Sequence, residues 1–233
     1  ILQDLGLENN AVRVGAVCVY HHLIKDCTKL IQNKIPIAAV STGFPAGLSS
    51  YTTRKKEISD SIKDGADEID IVINRKAFFE GDYKKVYEEI KALKDVCGEI
   101  HLKTILEIGE LKTYENIKKA SVIALCAGSD FIKTSTGKIS NGSSREACLI
   151  MARTVREFES YGYGMRGIKV AGGIRDAKDA IRYLVIINEE LGGSWLSADY
   201  FRFGASSLLD DVLKQIKKLK TNAYQSSYYF PRG

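Results

Sequence analysis

Short runs rich in β-branched residues alternate with helix-patterned segments along the chain, and this alternation restricts the fold more than any other feature of the sequence. The seven runs lie at Ala16–Tyr20, Ile35–Ser41, Glu68–Asn74, His101–Glu107, Asp130–Ser135, Gly167–Ala171 and Tyr200–Gly204. After each run, apolar residues recur at three- and four-residue spacing, which predicts an amphipathic helix. Strands that alternate with helices form a parallel sheet, either open and doubly wound or closed into a barrel.

The length of 233 residues fits a single α/β barrel domain, and 45% hydrophobic residues suffice for a sizeable core. Neither a linker nor a low-complexity segment divides the chain. We therefore predict one domain over residues 1–220, followed by a C-terminal tail at 221–233. A (β/α)8 TIM barrel needs one strand more than the seven runs supply, and the natural place for the missing first strand is before Ile1.

Four consecutive strands each carry an ionisable residue between apolar or β-forming neighbours. These residues are Asp70, Lys103, Lys133 and Lys169. A doubly wound sheet is covered by helices on both faces and would bury these charges without use, whereas a barrel interior that opens at the carboxyl ends of its strands can employ them. The turn after the first run is His21-His22-Leu23, which lacks the glycines of a dinucleotide-binding fold. The pattern favours the barrel.

The segment from Phe131 to Gly137 shows the arrangement most clearly. Alternation along a strand places Phe131, Lys133 and Ser135 on one face and the intervening residues on the other. Taken alone, the segment is equally compatible with an edge strand whose lysine is solvated. A buried lysine costs several kcal/mol unless something uses it, so the recurrence of the pattern on neighbouring strands favours a functional role.

Two glycine-containing turns follow the last two runs. Gly172 and Gly173 follow the Lys169 strand, and Gly204 precedes Ser206 and Ser207 at the start of the final helix. Exposed backbone N–H groups and a helix N-terminus bind anions, and barrels frequently hold phosphate at the loops after their last two strands. A single Gly-Gly turn is more often only a tight turn; two such turns at these positions predict a phosphate site.

Buried lysines, an aspartate and a phosphate site together indicate amine catalysis on a sugar phosphate. A lysine amine condenses with a carbonyl to an iminium, which stabilises the carbanion-like species formed when a carbon–carbon bond breaks. Desolvation and a neighbouring ammonium lower the pKa of the amine and so activate it. This chemistry requires no cofactor or metal, and His21, His22 and His101 have no companions at ligand spacing.

The net charge and the cysteine content bear on the expected partners and the cellular compartment of the protein. The net charge of +5 is spread over helix-patterned segments that also carry acids, so solvated helix faces explain it better than nucleic-acid binding does. Five cysteines, each within an apolar-patterned segment, predict buried reduced thiols and a cytoplasmic protein. No run approaches the length of a membrane span. The expected partners are a small-molecule sugar phosphate and aldehydes, which the lysine chemistry and the resemblance described below imply.

Several segments resemble the signatures of the 2-deoxyribose-5-phosphate aldolase family, in register from Ala16 to about Leu219. The segments are Glu68–Asn74, Leu102–Glu107, Asp130–Lys138, Gly167–Arg175 and Phe203–Leu209. Five motifs in the family's order make the likeness highly specific. Ser41–Gly47 and Ile73–Arg75 are similar to the longer, eukaryotic-type members.

The resemblance implies a class I, Schiff-base aldolase, an aldehyde-lyase that reversibly cleaves 2-deoxy-D-ribose 5-phosphate to D-glyceraldehyde 3-phosphate and acetaldehyde in deoxyribonucleotide catabolism. It implies that Lys133 forms the Schiff base, Lys169 lowers the pKa of Lys133, and Asp70 relays protons through water. Lys103 would hold Asp70 or the substrate hydroxyl. The residues that match the family's phosphate neighbourhood are Gly137, Lys138, Gly172, Gly173, Gly204, Ser206 and Ser207.

The chain departs from the family pattern at three points. The family's first strand with its Asp-Leu-Thr motif has no counterpart, and Val170 stands where many members have proline. The segment Ser226–Phe230 resembles the family's tail, whose terminal tyrosine assists proton transfer, which would give Tyr228 that role, but here the chain continues to Gly233. A different lysine aldolase of the barrel class, such as a transaldolase, and a non-catalytic sugar-phosphate-binding relic are the alternatives. A homo-oligomer, dimer or tetramer, is compatible with the sequence, which does not fix the state.

Overall fold

The computed structural model describes residues 13–31, 35–140 and 142–226. Within these ranges seven strands form one sheet. They are β1 Val17–Tyr20, β2 Ile37–Val40, β3 Glu68–Val72, β4 His101–Ile105, β5 Phe131–Lys133, β6 Gly167–Ala171 and β7 Phe201–Gly204. All seven predicted strands are confirmed; six are one to three residues shorter than the patterned runs, because residues at one or both ends of those runs belong to the connecting loops.

Helices follow the strands as the pattern predicted. They are α1 Ile24–Ile31, α2 Tyr51–Lys63, α3 Arg75–Phe79, α4 Tyr83–Cys97, α5 Ile108–Leu111, α6 Tyr114–Cys126, α7 Arg145–Phe158, α8 Ala177–Leu191 and α9 Ser207–Thr221. Ser144 and Asp176 cap α7 and α8, accepting from the backbone N–H groups of Ala147 and Asp179. The short α3 and α5, which lie in strand-to-helix loops, were not predicted.

The strands are parallel and lie side by side in chain order from β1 to β7. The register aligns Asp70 with Lys103 across β3 and β4, and Lys133 with Lys169 across β5 and β6. Sequential order with a helix after each strand is the connectivity of a (β/α)8 barrel, here with seven strands in the described part of the chain. The predicted fold class is confirmed.

Contacts across the sheet show that it is strongly curled. Arg202 on β7 contacts Glu68 on β3 at 2.6 Å between Nη1 and Oε2, although three strands separate the two. Neighbouring strands lie about 4.8 Å apart, so a flat sheet would hold these strands almost 20 Å apart. A Cβ on Gly15, ahead of β1, would come within 3.2 Å of Ala198 ahead of β7. The two edges of the sheet thus approach each other and enclose an interior.

The two faces of the sheet have different contents. Ile69, Ile71, Leu102, Ile132 and Ile168 point outward and join the main hydrophobic cluster with the helices. The inward face carries the charged residues, as alternation predicted: Lys133 and Phe131 share the interior, while Ile132 lies among the helices. One face of the sheet therefore supplies packing and the other supplies chemistry.

The prediction that all five cysteines are buried is wrong for some of them. All five are free thiols, and Cys97 and Cys148 are buried, but Cys18 and Cys126 are exposed and Cys27 is partly exposed. Burial raises the pKa of the Cys97 and Cys148 thiols to about 12. Among the helices of the described ranges, none has the length and apolar character needed to cross a membrane.

Candidate active site

The Asp70 carboxylate lies at the centre of the interior, in contact with three lysines. Its Oδ2 atom is 2.8 Å from Lys133 Nζ and 2.7 Å from Lys169 Nζ, and Oδ1 is 3.3 Å from Lys103 Nζ. All four side chains are buried. Their strand positions converge because the sheet curls around them. The structure thus brings together the four ionisable strand residues that the sequence singled out.

One carboxylate among three ammonium groups is held in its charged form. Burial acts to raise the pKa of Asp70, but the positive charges of Lys133, Lys169 and Lys103 outweigh it and hold the pKa well below its usual range. A hydrogen bond from Lys133 acts in the same direction. Asp70 therefore remains an acceptor throughout the neutral range.

The two lysines that share Oδ2 differ in their affinity for a proton. Burial lowers the pKa of Lys133; Asp70 opposes this, and the Lys169 ammonium adds to the lowering, so the net direction is down. Burial also acts to lower the pKa of Lys169, but the attraction of Asp70 more than offsets it and the pKa is raised. Lys133 is therefore the amine that loses its proton first, while Lys169 stays charged beside it.

Toward the amino ends of the strands, the interior contains Glu68 and the ring of Phe131, which contacts two cations. Lys103 Nζ donates to Glu68 Oε2 at 2.6 Å, and Arg202 Nη1 reaches the same oxygen at 2.6 Å. The Phe131 ring lies 5.8 Å from the Lys103 ammonium and 5.4 Å from the Arg202 guanidinium. A Cβ at Gly167 would overlap this ring, so the neighbouring strand needs glycine there. Neither Glu68 nor Arg202 was predicted as a site residue.

One aromatic side chain, from the loop after β2, borders Lys133, and a second packs against the first. Phe44 lies 6.0 Å from the Lys133 ammonium and packs edge to face against Tyr20, with ring centroids 5.7 Å apart. Charged residues hold the Phe44 loop at two points: Glu57 accepts from Gly43 N, and Arg75 donates to Ala46 O. The Phe44 ring adds apolar surface beside the amine, in keeping with the burial that lowers the pKa of Lys133.

The loop after β5 is fixed by a buried glutamate. Glu107 accepts from Thr136 Oγ1 at 2.6 Å and from Thr136 N at 3.2 Å. Its backbone has φ 59°, a left-handed conformation that is unusual for a residue with a side chain. The contact positions the segment between Lys133 and Lys138. Glu107 lay inside a matched motif, yet sequence reasoning gave it no role.

The residues predicted to bind phosphate follow β5, β6 and β7 at the end of the sheet where Lys133 lies. Gly172 and Gly173 have φ 95° and 92°, and a Cβ on Gly204 would come within 3.2 Å of the Lys169 stem. Ser206 and Ser207 at the start of α9 are exposed, and the Ser206 side chain makes no capping hydrogen bond. Of these residues, Gly204 thus lies directly against Lys169, and the two serines follow it at the start of α9.

The loop after β5 brings two further predicted residues to the same end of the sheet. Gly137 has φ 74°, and the Lys138 ammonium lies 6.0 Å from the Tyr20 ring. Lys138 N donates to Thr136 Oγ1, which links this turn to Glu107. The predicted residue Tyr228 lies outside the described residues.

A curled parallel barrel sheet with a desolvated lysine beside a carboxylate and a second ammonium defines the class: a lysine-dependent aldolase of the barrel type. The profile of the DeoC/LacD family aldolases matches residues 8–214. The chain belongs to that family and is an aldolase.

Comparisons with individual proteins support the assignment. Over 234 aligned residues the chain is 43% identical to "Deoxyribose-phosphate aldolase" of Homo sapiens and of Mus musculus, covering 99% of this chain and 74% of theirs. A solved structure of a putative deoxyribose-phosphate aldolase from Toxoplasma gondii superimposes with a TM-score of 0.80 at 25% identity, covering 92% of this chain and 86% of that one. The aldolase QR15, 30% identical, superimposes with a TM-score of 0.74 over 94% of this chain and 89% of its own.

Proposed function

We propose that the chain reversibly cleaves 2-deoxy-D-ribose 5-phosphate to D-glyceraldehyde 3-phosphate and acetaldehyde, with Lys133 as the Schiff-base lysine. The observation that carries this proposal is the buried Lys133 amine, whose pKa is lowered while it contacts Asp70 at 2.8 Å. Lys169 and the deoxyribose-phosphate aldolase names of the relatives support the same assignment.

The reaction begins when the neutral Lys133 amine attacks the C1 carbonyl of the open-chain sugar. Loss of water gives an iminium, which draws the electrons of the C2–C3 bond toward nitrogen as the C3 hydroxyl loses its proton. D-Glyceraldehyde 3-phosphate leaves, and an enamine of acetaldehyde remains on Lys133. Protonation at C2 and hydrolysis of the iminium release acetaldehyde. Asp70, through water, takes up and returns the protons, and Lys169 remains charged beside it.

Trapping with sodium borohydride tests the assignment of the nucleophile. Reduction in the presence of acetaldehyde is expected to attach one ethyl group to Lys133, identified by peptide mapping, because this lysine is the one that loses its proton most readily. An adduct found only on Lys169 or Lys103 would contradict the assignment. A folded sample without any adduct would contradict the Schiff-base mechanism itself.

A second experiment tests the phosphate site at the start of α9. Ser206→Glu places a carboxylate where the substrate dianion should bind, so cleavage of the phosphorylated sugar is expected to fall by at least about a hundredfold. Unphosphorylated deoxyribose should be affected far less. Ser206→Ala is the matched control, since it removes the hydroxyl without adding charge. Equal losses on both substrates with Ser206→Glu would place the phosphate site elsewhere.

The wider setting of the protein follows from the same proposal. The substrate arises from the breakdown of deoxynucleosides, which places the reaction in deoxyribonucleotide catabolism, and the free thiols favour a cytoplasmic location. Partners are the sugar phosphate and the two aldehydes, without nucleic acid, membrane or cofactor. Assembly into a homodimer or homotetramer stays a prediction, which light scattering of the purified protein would check.

A further inference from the structure

We propose that Glu68 is a positioning residue for proton transfer: supported by Arg202, it holds the Lys103 ammonium off Asp70 Oδ1 and leaves that oxygen free to accept a proton. The inference rests on the proposed function and deepens it. It concerns the proton-transfer step and not the formation of the Schiff base.

The two oxygens of Asp70 are used differently. Oδ2 accepts hydrogen bonds from Lys133 and Lys169 at 2.8 and 2.7 Å. Oδ1 is buried and accepts none from any residue in the described part of the chain. Lys103 Nζ is 3.3 Å from Oδ1, but its hydrogen bond goes to Glu68 Oε2 at 2.6 Å. A buried carboxylate oxygen without a donor is a rare and costly feature unless a reaction uses it.

Arg202 contacts Glu68 from the opposite side of the interior. Its Nη1 approaches Glu68 Oε2 at 2.6 Å while its Nε donates to Ala198 O. Burial acts to raise the pKa of Glu68, but Lys103 and Arg202 outweigh it, so the pKa is lowered and the carboxylate stays charged. His101 Nδ1 lies 4.0 Å from Oε1. Glu68 is thus a permanent anion that Lys103 can contact instead of Asp70.

Among the described residues, removal of the Glu68 charge leaves Asp70 as the one carboxylate that Lys103 contacts. The ammonium is fully buried and must find an acceptor, because an unpaired buried charge costs several kcal/mol. A glutamine at position 68 offers only a neutral oxygen, whereas Asp70 Oδ1, at 3.3 Å, offers a charged one. A third hydrogen-bonded ammonium would occupy the free oxygen and reduce its basicity. Proton transfer should then slow, while Lys133 keeps its own contact with Oδ2.

The test separates two steps in the wild type and in Glu68→Gln. Proton magnetic resonance in D2O measures the exchange of the acetaldehyde methyl protons, which requires removal of a proton from the Lys133 iminium. Borohydride trapping of acetaldehyde measures formation of that iminium. We expect Glu68→Gln to slow exchange by about tenfold or more while the trapping rate changes by less than about threefold.

Two further variants sharpen the result. Glu68→Gln/Lys103→Met removes the ammonium that would occupy Oδ1, and exchange is expected to recover about threefold or more over Glu68→Gln alone. Glu190→Gln is the matched control, since Glu190 also contacts two cations, Arg153 and Arg156, but lies among the helices. It should leave both rates unchanged.

Several outcomes would overturn the inference. Equal loss of exchange and trapping in Glu68→Gln would show a structural role only, and unchanged exchange would show no role. A double variant whose methyl protons exchange more slowly than those in Glu68→Gln would also overturn the inference, because removal of the Lys103 ammonium would then not have restored proton transfer. If Glu68→Gln does not fold, Glu68→Asp is measured instead, since it keeps the negative charge but moves it away from Lys103. An exchange rate in Glu68→Asp equal to that of the wild type would also refute the role. A wild type that neither traps nor exchanges would instead refute the proposed function.

Discussion

Lys133→Met is expected to lose aldol cleavage by at least about 10⁴-fold, the largest effect of any single substitution in the chain. The proposed reaction requires a covalent bond to this nitrogen, and the raised pKa of Lys169 keeps that amine protonated, so Lys169 is not expected to replace it. A coupled assay for D-glyceraldehyde 3-phosphate measures the loss.

The fold should survive this substitution, because Asp70 keeps Lys169 and Lys103 as partners. Circular dichroism and thermal unfolding serve as the check on folding. Lys133→Arg is the matched variant: it keeps a positive charge beside Asp70 but cannot form the iminium, and it should be equally inactive. Activity within about a hundredfold of the wild type in either variant would remove Lys133 from the central role.

Lys169→Met is expected to lose about a hundredfold in rate at neutral pH and to regain much of its activity as the pH is raised toward 10. Lys133 and Lys169 contact the same oxygen at 2.8 and 2.7 Å, so their nitrogens lie no more than about 5.5 Å apart. Two positive charges at that distance repel by about 3 kcal/mol at an effective dielectric near 20. That energy corresponds to about a hundredfold in the population of the neutral amine.

The direction of the pH effect follows from the charges. Without Lys169 the pKa of Lys133 rises, because the Asp70 attraction remains while the repulsion is gone. Less free amine is then present at neutral pH, and higher pH restores it. Burial is the larger cause of the lowered pKa and persists in the variant, so the Lys133 adduct should still form slowly. The same loss at every pH would mean that Lys169 acts by placing the substrate or moving a proton.

The centre of the site was predictable because its ionisable residues break the local rule that strands of a covered sheet are apolar. Asp70, Lys103, Lys133 and Lys169 interrupt strands that are otherwise apolar or β-forming, and strand alternation gives the side on which each must lie. The chain order of the strands then places them together. The phosphate site stays a prediction, which rests on paired glycines and helix-starting serines at turns where barrels frequently bind phosphate.

Residues outside that rule escaped prediction. Glu68 and Arg202 lie at or near strand ends, where a charge is usually solvated, and only the curl of the sheet shows that β3 meets β7. Phe44 lies in a loop, and an aromatic residue there has no periodic partner to indicate its neighbours. The contact made by Glu107 depends on a left-handed backbone conformation, which the residue type at this position does not indicate. These contacts depend on tertiary geometry that a local pattern does not contain.

The Phe131 ring over Gly167 has a consequence for how such sequences can diverge. A side chain at position 167 and a phenyl ring at position 131 cannot occupy the same space, so the two positions must change as a pair. A relative with alanine or a larger residue opposite β5 should carry a smaller residue in place of phenylalanine. Because both Lys103 and Arg202 rest against this ring, such an exchange would also alter the cations that lie beneath Asp70.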